Sequence, residues 1–150
     1  MSCILTIIGQ DFDVDTFIEK SKLRPYKKSY KGQPRVKSKP DGIKLSHSLL
    51  SIETSKAGFN DLKKQISDTF RFLSFNKDKL TFITSTEGID HAIIDFGIYL
   101  RIDSVSVLTQ SDKFPNKLLK LAGELGLDIE LSIYPVDMQT ILENQNNKKK

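Results

Sequence analysis

Three alternating aspartates near the start of the chain are the first residues whose types and spacing suggest chemistry. Asp11, Asp13 and Asp15 are spaced like the first ligands of a calcium-binding loop. An EF-hand loop also needs Gly at its sixth position and Glu at its twelfth. Those positions hold Thr16 and Lys22 instead. The pattern therefore predicts helix capping and a favourable helix-dipole charge rather than a calcium site.

The two histidines offer no recognisable catalytic or metal-binding spacing. His47 and His91 are isolated from each other, and neither belongs to an HxxH or HExxH pattern. One cysteine cannot supply a structural zinc site. A His–Asp pair could still assemble in space from His91 with Asp95 or Asp103, and this is the enzyme hypothesis that stays open. Because no catalytic motif is complete, we expect a protein that is not an enzyme.

Other site signatures are also missing from the sequence. It contains no GxGxxG or GxxxxGK[ST] phosphate loop and no GxSxG nucleophile elbow. We therefore expect no cofactor, no bound metal and no catalytic residues. Cys3 lies in an apolar segment, which is typical of a buried and unreactive thiol.

A basic segment, residues 24–41, has the clearest potential for interaction. It carries seven Lys or Arg residues against one Asp, whereas residues 78–135 carry five against nine acids. Such a cluster can bind an acidic protein surface, or nucleic acid if interleaved tyrosines stack on bases. A solvated lysine-rich loop is the third interpretation. The candidate partner-binding residues are Arg24, Tyr26, Lys27, Lys28, Tyr30, Lys31, Arg35, Lys37 and Lys39.

The elements that must position these residues follow the order β-α-loop-β-α-β-β-α-β. Of these, residues 114–134 carry the strongest signals: a helix with Leu118 and Leu121 on one face, a stop at Gly126, and an alternating strand. A helical stripe from Phe59 to Leu73, a strand at residues 43–52 with a bulge near Leu49, and a short strand at residues 80–84 are also predicted. In residues 24–41 we expect a long mobile loop.

These elements predict the α+β class, with a ferredoxin-like sandwich in which helices lie mainly on one face of an antiparallel or mixed sheet. With 150 residues, one domain spanning residues 1–135 is expected. Residues 136–150 are expected to be a short, largely disordered extension. No apolar run is long enough for a membrane helix, and the apolar start of the chain is interpreted as a strand rather than a signal peptide. The single cysteine precludes an intrachain disulfide, which favours a cytoplasmic location.

Four stretches of the chain resemble the bacterial domain-of-unknown-function family four-two-seven-nine. They are residues 4–15, residues 23–34 with the pattern Leu-Arg-Pro followed by Tyr-Lys-Gly-Gln-Pro, residues 42–45, and residues 118–134. The family often shows Trp in the loop and the next strand, where this chain has Tyr30 and Leu45. The resemblance implies a small α+β domain without an established activity. Some members of that family resemble immunity proteins, which act by binding a toxin.

The sequence thus predicts a cytoplasmic, non-enzymatic, protein-binding domain of toxin-immunity type. Its net charge of +4 fits an acidic or neutral partner better than a basic one, because complementary charge speeds and orients association. The alternative is nucleic-acid binding through residues 24–41. No membrane contact is expected, and the oligomeric state stays open.

Overall fold

The computed structural model describes residues 2–102 and 106–135. The five strands are β1 (Cys3–Gly9), β2 (Lys27–Ser29), β3 (Ser48–Ser55), β4 (His91–Tyr99) and β5 (Asp128–Tyr134). The helical segments are α1 (Val14–Ser21), α2 (Leu62–Phe75), α3 (Lys77–Leu80), α4 (Phe82–Ser85) and α5 (Asn116–Glu124). No helix in the described residues is long and apolar enough to cross a membrane.

The strands form a mixed sheet in the order β2-β3-β1-β4-β5. β1 pairs antiparallel with both β3 and β4, and β2 pairs antiparallel with β3. β4 and β5 run parallel, with α5 in the connection between them. A parallel neighbour requires such a crossover, because the chain must return to the same end of the sheet. The expected α+β class is confirmed.

The hydrophobic core lies between the helices and one face of the sheet. Alternate residues of β1 are fully buried there, Cys3, Leu5 and Ile7, whereas the residues between them are half-buried. This alternation follows from the two-residue repeat of a strand. The helices add buried side chains to the same cluster, among them Phe17 and Leu118.

The ferredoxin-like arrangement is not confirmed. That fold repeats βαβ units, whereas β1 has antiparallel neighbours on both sides here. The β4–α5–β5 connection is the parallel crossover that the described strands contain. The sequence pattern gave the correct types for most elements, but strand order depends on pairing between segments distant in the chain.

The strand expected at residues 80–84 is wrong, because the chain is helical there in α3 and α4. Leu80 and Ile83 are three residues apart and both are buried, which suits one face of a helical turn. The hydroxyl of Thr81 donates a hydrogen bond to the carbonyl of Asp78 at 2.6 Å, and that of Thr84 donates to the carbonyl of Thr81 at 3.0 Å. Tertiary burial and these local bonds override the β-propensity of Thr and Ile.

The strand predicted at residues 43–52 begins later in the structure. β3 covers Ser48–Ser55, and its register with β1 shifts at the Cys3/Ile4 step rather than near Leu49. Ile43 lies outside the strand and is 75% exposed. α2 begins after Asp61, whose carboxylate accepts the N–H of Lys64 at 2.9 Å, so Phe59 precedes the helix that its spacing suggested.

The unit at residues 114–134 agrees closely with its prediction. Gly126 has φ +67°, and it donates its N–H to the carbonyl of Gly123 while Leu127 donates to Ala122. This pair of hydrogen bonds is a Schellman motif, which satisfies the last free carbonyls of the helix. The predicted helical turn near Met138 and the extension at residues 136–150 lie outside the described residues.

Candidate functional site

The basic segment contains a strand that its sequence did not suggest. β2 pairs with the first half of β3, and the N–H of Tyr26 donates to the carbonyl of Ser51 at 3.0 Å. The strand has three residues, two of them lysines, and it forms one edge of the sheet. Short, lysine-rich edge strands discourage uncontrolled pairing with other chains. The backbone of β2 therefore places Lys27 and Lys28 at fixed positions on the sheet edge.

Residues 32–45 continue from β2 as a two-stranded ribbon. Gly32 donates its N–H to Leu45, Leu45 donates to Gln33, and Arg35 donates to Ile43, each at 2.8 Å. Gly32 has φ +84°, a conformation that side chains with a Cβ rarely adopt. The ribbon turns back through hydrogen bonds around residues 36–42. These bonds hold Arg35 at a defined place relative to β2.

Asp15 on α1 ties the basic segment to the rest of the fold. Its carboxylate accepts hydrogen bonds from Lys28 Nζ at 2.8 Å and from the hydroxyl of Tyr30 at 2.9 Å. The bond from Lys28, then that from Tyr30, holds the pKa of Asp15 below its ordinary value. The bond to Asp15, then a contact with Tyr30, raises the pKa of Lys28. Lys31 Nζ makes a second contact with Asp11 at 3.3 Å.

A surface cavity of about 740 Å³ lies between β2 and the ribbon. Lys27, Lys28, Arg35 and Lys37 line it, together with apolar contributions from Leu45 and Leu49. In the described part of the chain only Lys28 among these four cations forms an ion pair. Three exposed positive charges therefore meet at one concave surface without an acidic partner, and this arrangement favours an anionic ligand.

The structure brings together five of the nine candidate partner-binding residues. Lys27, Lys28, Tyr30, Arg35 and Lys37 line this basic cavity. Four others do not take part: Arg24 lines a separate depression beside Lys22 and Lys79, Lys31 contacts Asp11, Tyr26 stands 44% exposed, and Lys39 lies in the ribbon turn.

The tyrosines of the basic segment differ in their freedom to contact a ligand. Tyr30 packs against the hydrophobic core and its hydroxyl donates to Asp15, so its ring is held in place by contacts within the protein. Tyr26 keeps 44% of its surface exposed. Of the two interleaved tyrosines, Tyr26 is therefore the one whose ring is available to stack on a base.

The aspartates of the first loop act as structural groups. Asp13 caps α1, accepting the N–H of Thr16 at 3.0 Å, and that bond holds the pKa of Asp13 below its ordinary value. Asp11 and Asp15 contact lysines of the basic segment. Within residues 2–102 and 106–135 no cluster of three His, Cys or acidic residues could hold a metal ion.

His91 and Asp95 do not form a pair. Both lie on β4 and project to the same face, four residues apart. At about 3.4 Å per residue they are separated by roughly 13 Å, far beyond hydrogen-bond reach. His91 instead borders a depression with Asp90 and Asp128. Asp103, the third residue of the enzyme hypothesis, lies outside the described residues.

Cys3 is a buried thiol held by two hydroxyl groups. Its sulfur lies 3.1 Å from the hydroxyl oxygen of Thr54 and 3.2 Å from that of Thr69. Burial raises the pKa of Cys3 to about 11, so the reactive thiolate is scarce at neutral pH. The expectation that Cys3 is buried is confirmed.

Two residues that shape the basic cavity, Asp15 and Gln33, were not identified as site residues from the sequence. Asp15 was assigned to helix dipole and capping, yet it anchors Lys28 and Tyr30. Gln33 also lines the cavity, and its side-chain carbonyl accepts the N–H of Tyr30 at 3.1 Å. Asp15 carries no spacing signal because its partners lie in a different element, whereas Gln33 bonds Tyr30 within one local turn.

The comparisons with known proteins give one positive finding. A search of curated proteins finds no match, and a search of solved structures also finds none. A family model described as a domain of unknown function, DUF4279, matches residues 1–136. This match covers every strand and helix of the sheet described above, and the chain therefore belongs to the DUF4279 family.

Proposed function

We propose that this chain is a non-enzymatic binding protein that recognises an acidic protein partner through the basic cavity. The observation that carries the proposal is the convergence of Lys27, Arg35 and Lys37 on one concave surface, without ion pairs to described residues. Unneutralised cations at such a surface attract and orient an acidic partner. A toxin-immunity protein, the kind implied by the resemblance, is one form of this function.

The construction of the cavity supports binding rather than turnover. Its polar groups are mostly long cationic side chains and a tyrosine already held by Asp15. Lysines and arginines of this kind act as charge-pairing groups, and the cavity presents neither a histidine nor a carboxylate for general acid–base work. We place the protein in the cytoplasm, where a free thiol such as Cys3 is kept reduced.

The first experiment is an affinity capture from the native host, with nuclease treatment, using three forms of the tagged protein. These are the wild type, a triple variant with Lys27→Glu, Arg35→Glu and Lys37→Glu, and a matched control with Lys63→Glu, Lys113→Glu and Lys120→Glu. All six side chains are exposed, and none forms an ion pair with described residues. Both triple variants therefore change the net charge equally, and only their location differs.

An acidic protein captured by the wild type and by the control, but lost from the cavity variant, would support the proposal. Equal capture by all three forms would remove the basic cavity from the interface. Equal loss from both triple variants would show that overall charge, rather than the cavity, governs the association.

Nucleic-acid binding is the second candidate function. The exposed Tyr26, next to Lys27 and close in sequence to Arg24, favours it, because an aromatic ring beside cations suits a stacked base. Binding of this kind weakens steeply with salt as phosphate contacts release counterions. Titration of a labelled single-stranded oligonucleotide at two salt concentrations tests it, and absence of binding at low salt would exclude it.

A further inference from the structure

A second surface is created because β2 covers only part of the β3 edge. β2 pairs with Leu49, Leu50 and Ser51, whereas β3 continues to Ser55. Ser51 accepts a backbone bond from the β2 side, and alternate residues of a strand direct their backbone groups to the same side. The backbone groups of Glu53 therefore also face this edge. The chain enters β2 from this side, where Arg24 and Ile52 line one depression, and no described strand pairs with the edge from Glu53 onward.

Helix α2 forms a wall beside this uncovered edge. Phe72 and Phe75 follow Arg71 by one and four positions on this helix. Together with β3, these three residues border a groove of about 490 Å³. We refer to this space, between residues 53–56 and the last turns of α2, as the β3–α2 groove. Phe75 is 87% exposed. At the rim of the groove, its exposed ring offers an apolar contact to a side chain of a partner.

The charge around the β3–α2 groove is positive. Lys56 and Arg71 line it, and Arg24, Lys22 and Lys79 line an adjoining depression that shares Phe72 and Asn76 with it. None of these cations forms an ion pair with a described residue. The nearby carboxylate of Asp68 is already bound by Ser55 at 2.9 Å and by Lys64 at 3.1 Å. The five cations therefore outnumber the two acids that line these surfaces, Glu53 and Asp68, the second of which also feels the charge of Arg71.

We propose that the β3–α2 groove binds an extended acidic segment of a partner protein, which adds as a strand to the free edge of β3. In this mode the backbone of the segment bonds to β3, while alternate side chains occupy pockets beside it. Apolar side chains would contact Phe72 and Phe75, and acidic side chains would approach Arg71, Lys56 and the adjoining cations. The bound strand would lie beyond the end of β2 on the same side of β3.

This inference goes beyond the proposed function, because it assigns a different surface and a different kind of contact. The basic cavity lies between β2 and the ribbon and recognises charge. The β3–α2 groove presents a strand edge, which selects an extended peptide backbone through its hydrogen bonds. The groove can bind a peptide whether or not the basic cavity forms an interface.

The test is selection of a phage-displayed random peptide library against the folded protein. Phages that also bind a double variant with Arg71→Glu and Phe75→Ser are removed first. Selected peptides are synthesised with a fluorescent label, and their affinities are measured by anisotropy for the wild type and the variants. The matched control is Leu119→Ser with Lys120→Glu on α5, which removes an exposed apolar side chain and reverses an exposed charge elsewhere.

The expected peptides are rich in acidic and in β-branched or aromatic residues. The double groove variant should weaken their binding about tenfold or more, because it removes an apolar anchor and reverses a charge. N-methylation of alternate peptide amides should abolish binding, since a methylated nitrogen cannot donate to β3. The α5 control, and the variant with Lys27→Glu, Arg35→Glu and Lys37→Glu, should bind normally.

Several outcomes would overturn the proposal. They are no enrichment over the double groove variant, selection of basic or uncharged peptides, and full affinity after N-methylation. Loss of binding in the Lys27, Arg35 and Lys37 variant would assign the peptide to the basic cavity instead. Circular dichroism of each variant confirms folding, which we expect to be unchanged because Phe75 is largely exposed.

Discussion

The two edges of the sheet are built in contrasting ways. At one edge, β5 is fastened by α5, whose Leu118 and Ala122 are almost completely buried in the core. At the other edge, the three residues of β2 and the ribbon after them are held by backbone bonds and exposed ion pairs. Buried apolar area contributes far more to stability than exposed ion pairs do. The β5 edge therefore supports the fold, whereas the β2 edge can change its side chains at little cost.

This difference explains where a binding surface can reside. The cations of the basic cavity face solvent, so their types are not constrained by core packing. The β5 edge instead carries acidic residues, Asp128 and Glu130, on a strand whose partner β4 is part of the core. The comparison predicts that substitutions of the buried α5 residues that hold the β5 edge destabilise the protein, and that substitutions at the β2 edge alter binding first.

The largest expected effect is that of Leu118→Ala. Leu118 is fully buried in the core, so truncation leaves a cavity and loses apolar contacts. We expect the free energy of unfolding to fall by about 2–5 kcal/mol. Urea denaturation followed by circular dichroism measures it. The exposed neighbour Leu119 provides the control, since Leu119→Ala should change stability by less than about 0.5 kcal/mol. Equal effects at both positions would contradict the assignment of the buried face of α5.

A smaller loss is expected from Gly126→Ala. Gly126 has φ +67°, and a Cβ there would lie 2.8 Å from the side-chain methyl of Thr84. The left-handed conformation alone costs a residue with a Cβ about 1–2 kcal/mol. Thermal unfolding should show the loss. Gly123→Ala is the control, because Gly123 lies within α5 with open space around its Cβ position, and Ala favours a helix interior. A neutral Gly126→Ala variant would mean that α5 ends differently.

The same contrast determines how much could be predicted from sequence. The α5–β5 unit was predictable because its signals are local: the apolar spacing from Leu118, the glycine at 126 and the alternation in β5 fall within one short segment. At the β2 edge, Lys27–Ser29 has no apolar alternation. Its strand exists because β3 offers a partner later in the chain, with Ser29 opposite Leu49 and Lys27 opposite Ser51. Local patterns cannot reveal pairing of this kind.

The candidate surface was likewise predictable only in its composition. The excess of cations in residues 24–41 was evident from the sequence, and five of the nine candidate residues do share a cavity. Their division into free cations and anchored groups depends on Asp15 and Asp11, which lie in a different element. The β3–α2 groove had no sequence signal, because Phe75 lies outside the helical stripe from Phe59 to Leu73 and only the packing of α2 beside β3 places it at a groove.

A still smaller effect on stability is expected from the triple charge reversal at Lys27, Arg35 and Lys37. These side chains are exposed and make no ion pair with described residues, so their replacement by Glu removes no packed contact. The free energy of unfolding should change by less than about 0.5 kcal/mol per position. Urea denaturation beside Leu118→Ala measures the contrast directly. A loss as large as that of Leu118→Ala would show that the β2 edge also supports the fold.

The smallest effect on stability is expected from protonation of Asp15 at acidic pH, and the change should be confined to the contacts of that side chain. Hydrogen bonds from Lys28 and Tyr30 hold the pKa of Asp15 below its ordinary 3.8. A carboxyl group with a lowered folded pKa contributes stability that is present above the unfolded pKa and is lost as pH falls through the folded pKa. The tie between α1 and the basic segment should therefore be intact at pH 5 and above, and should weaken only below pH 3.8.

Nuclear magnetic resonance of the Tyr30 ring and the Lys28 side chain, recorded from neutral to acidic pH, can detect this change. Asp15→Asn should remove the acid transition at both residues. The signals of the α5–β5 unit should stay unchanged, because Asp15 contacts Lys28 and Tyr30 at the β2 edge and not the β5 edge. Asp128→Asn serves as the control at the opposite edge, where no such tie exists in the described residues. If the α5–β5 signals moved together with Tyr30, the two edges would be one cooperative unit, and β2 could not change independently of the core.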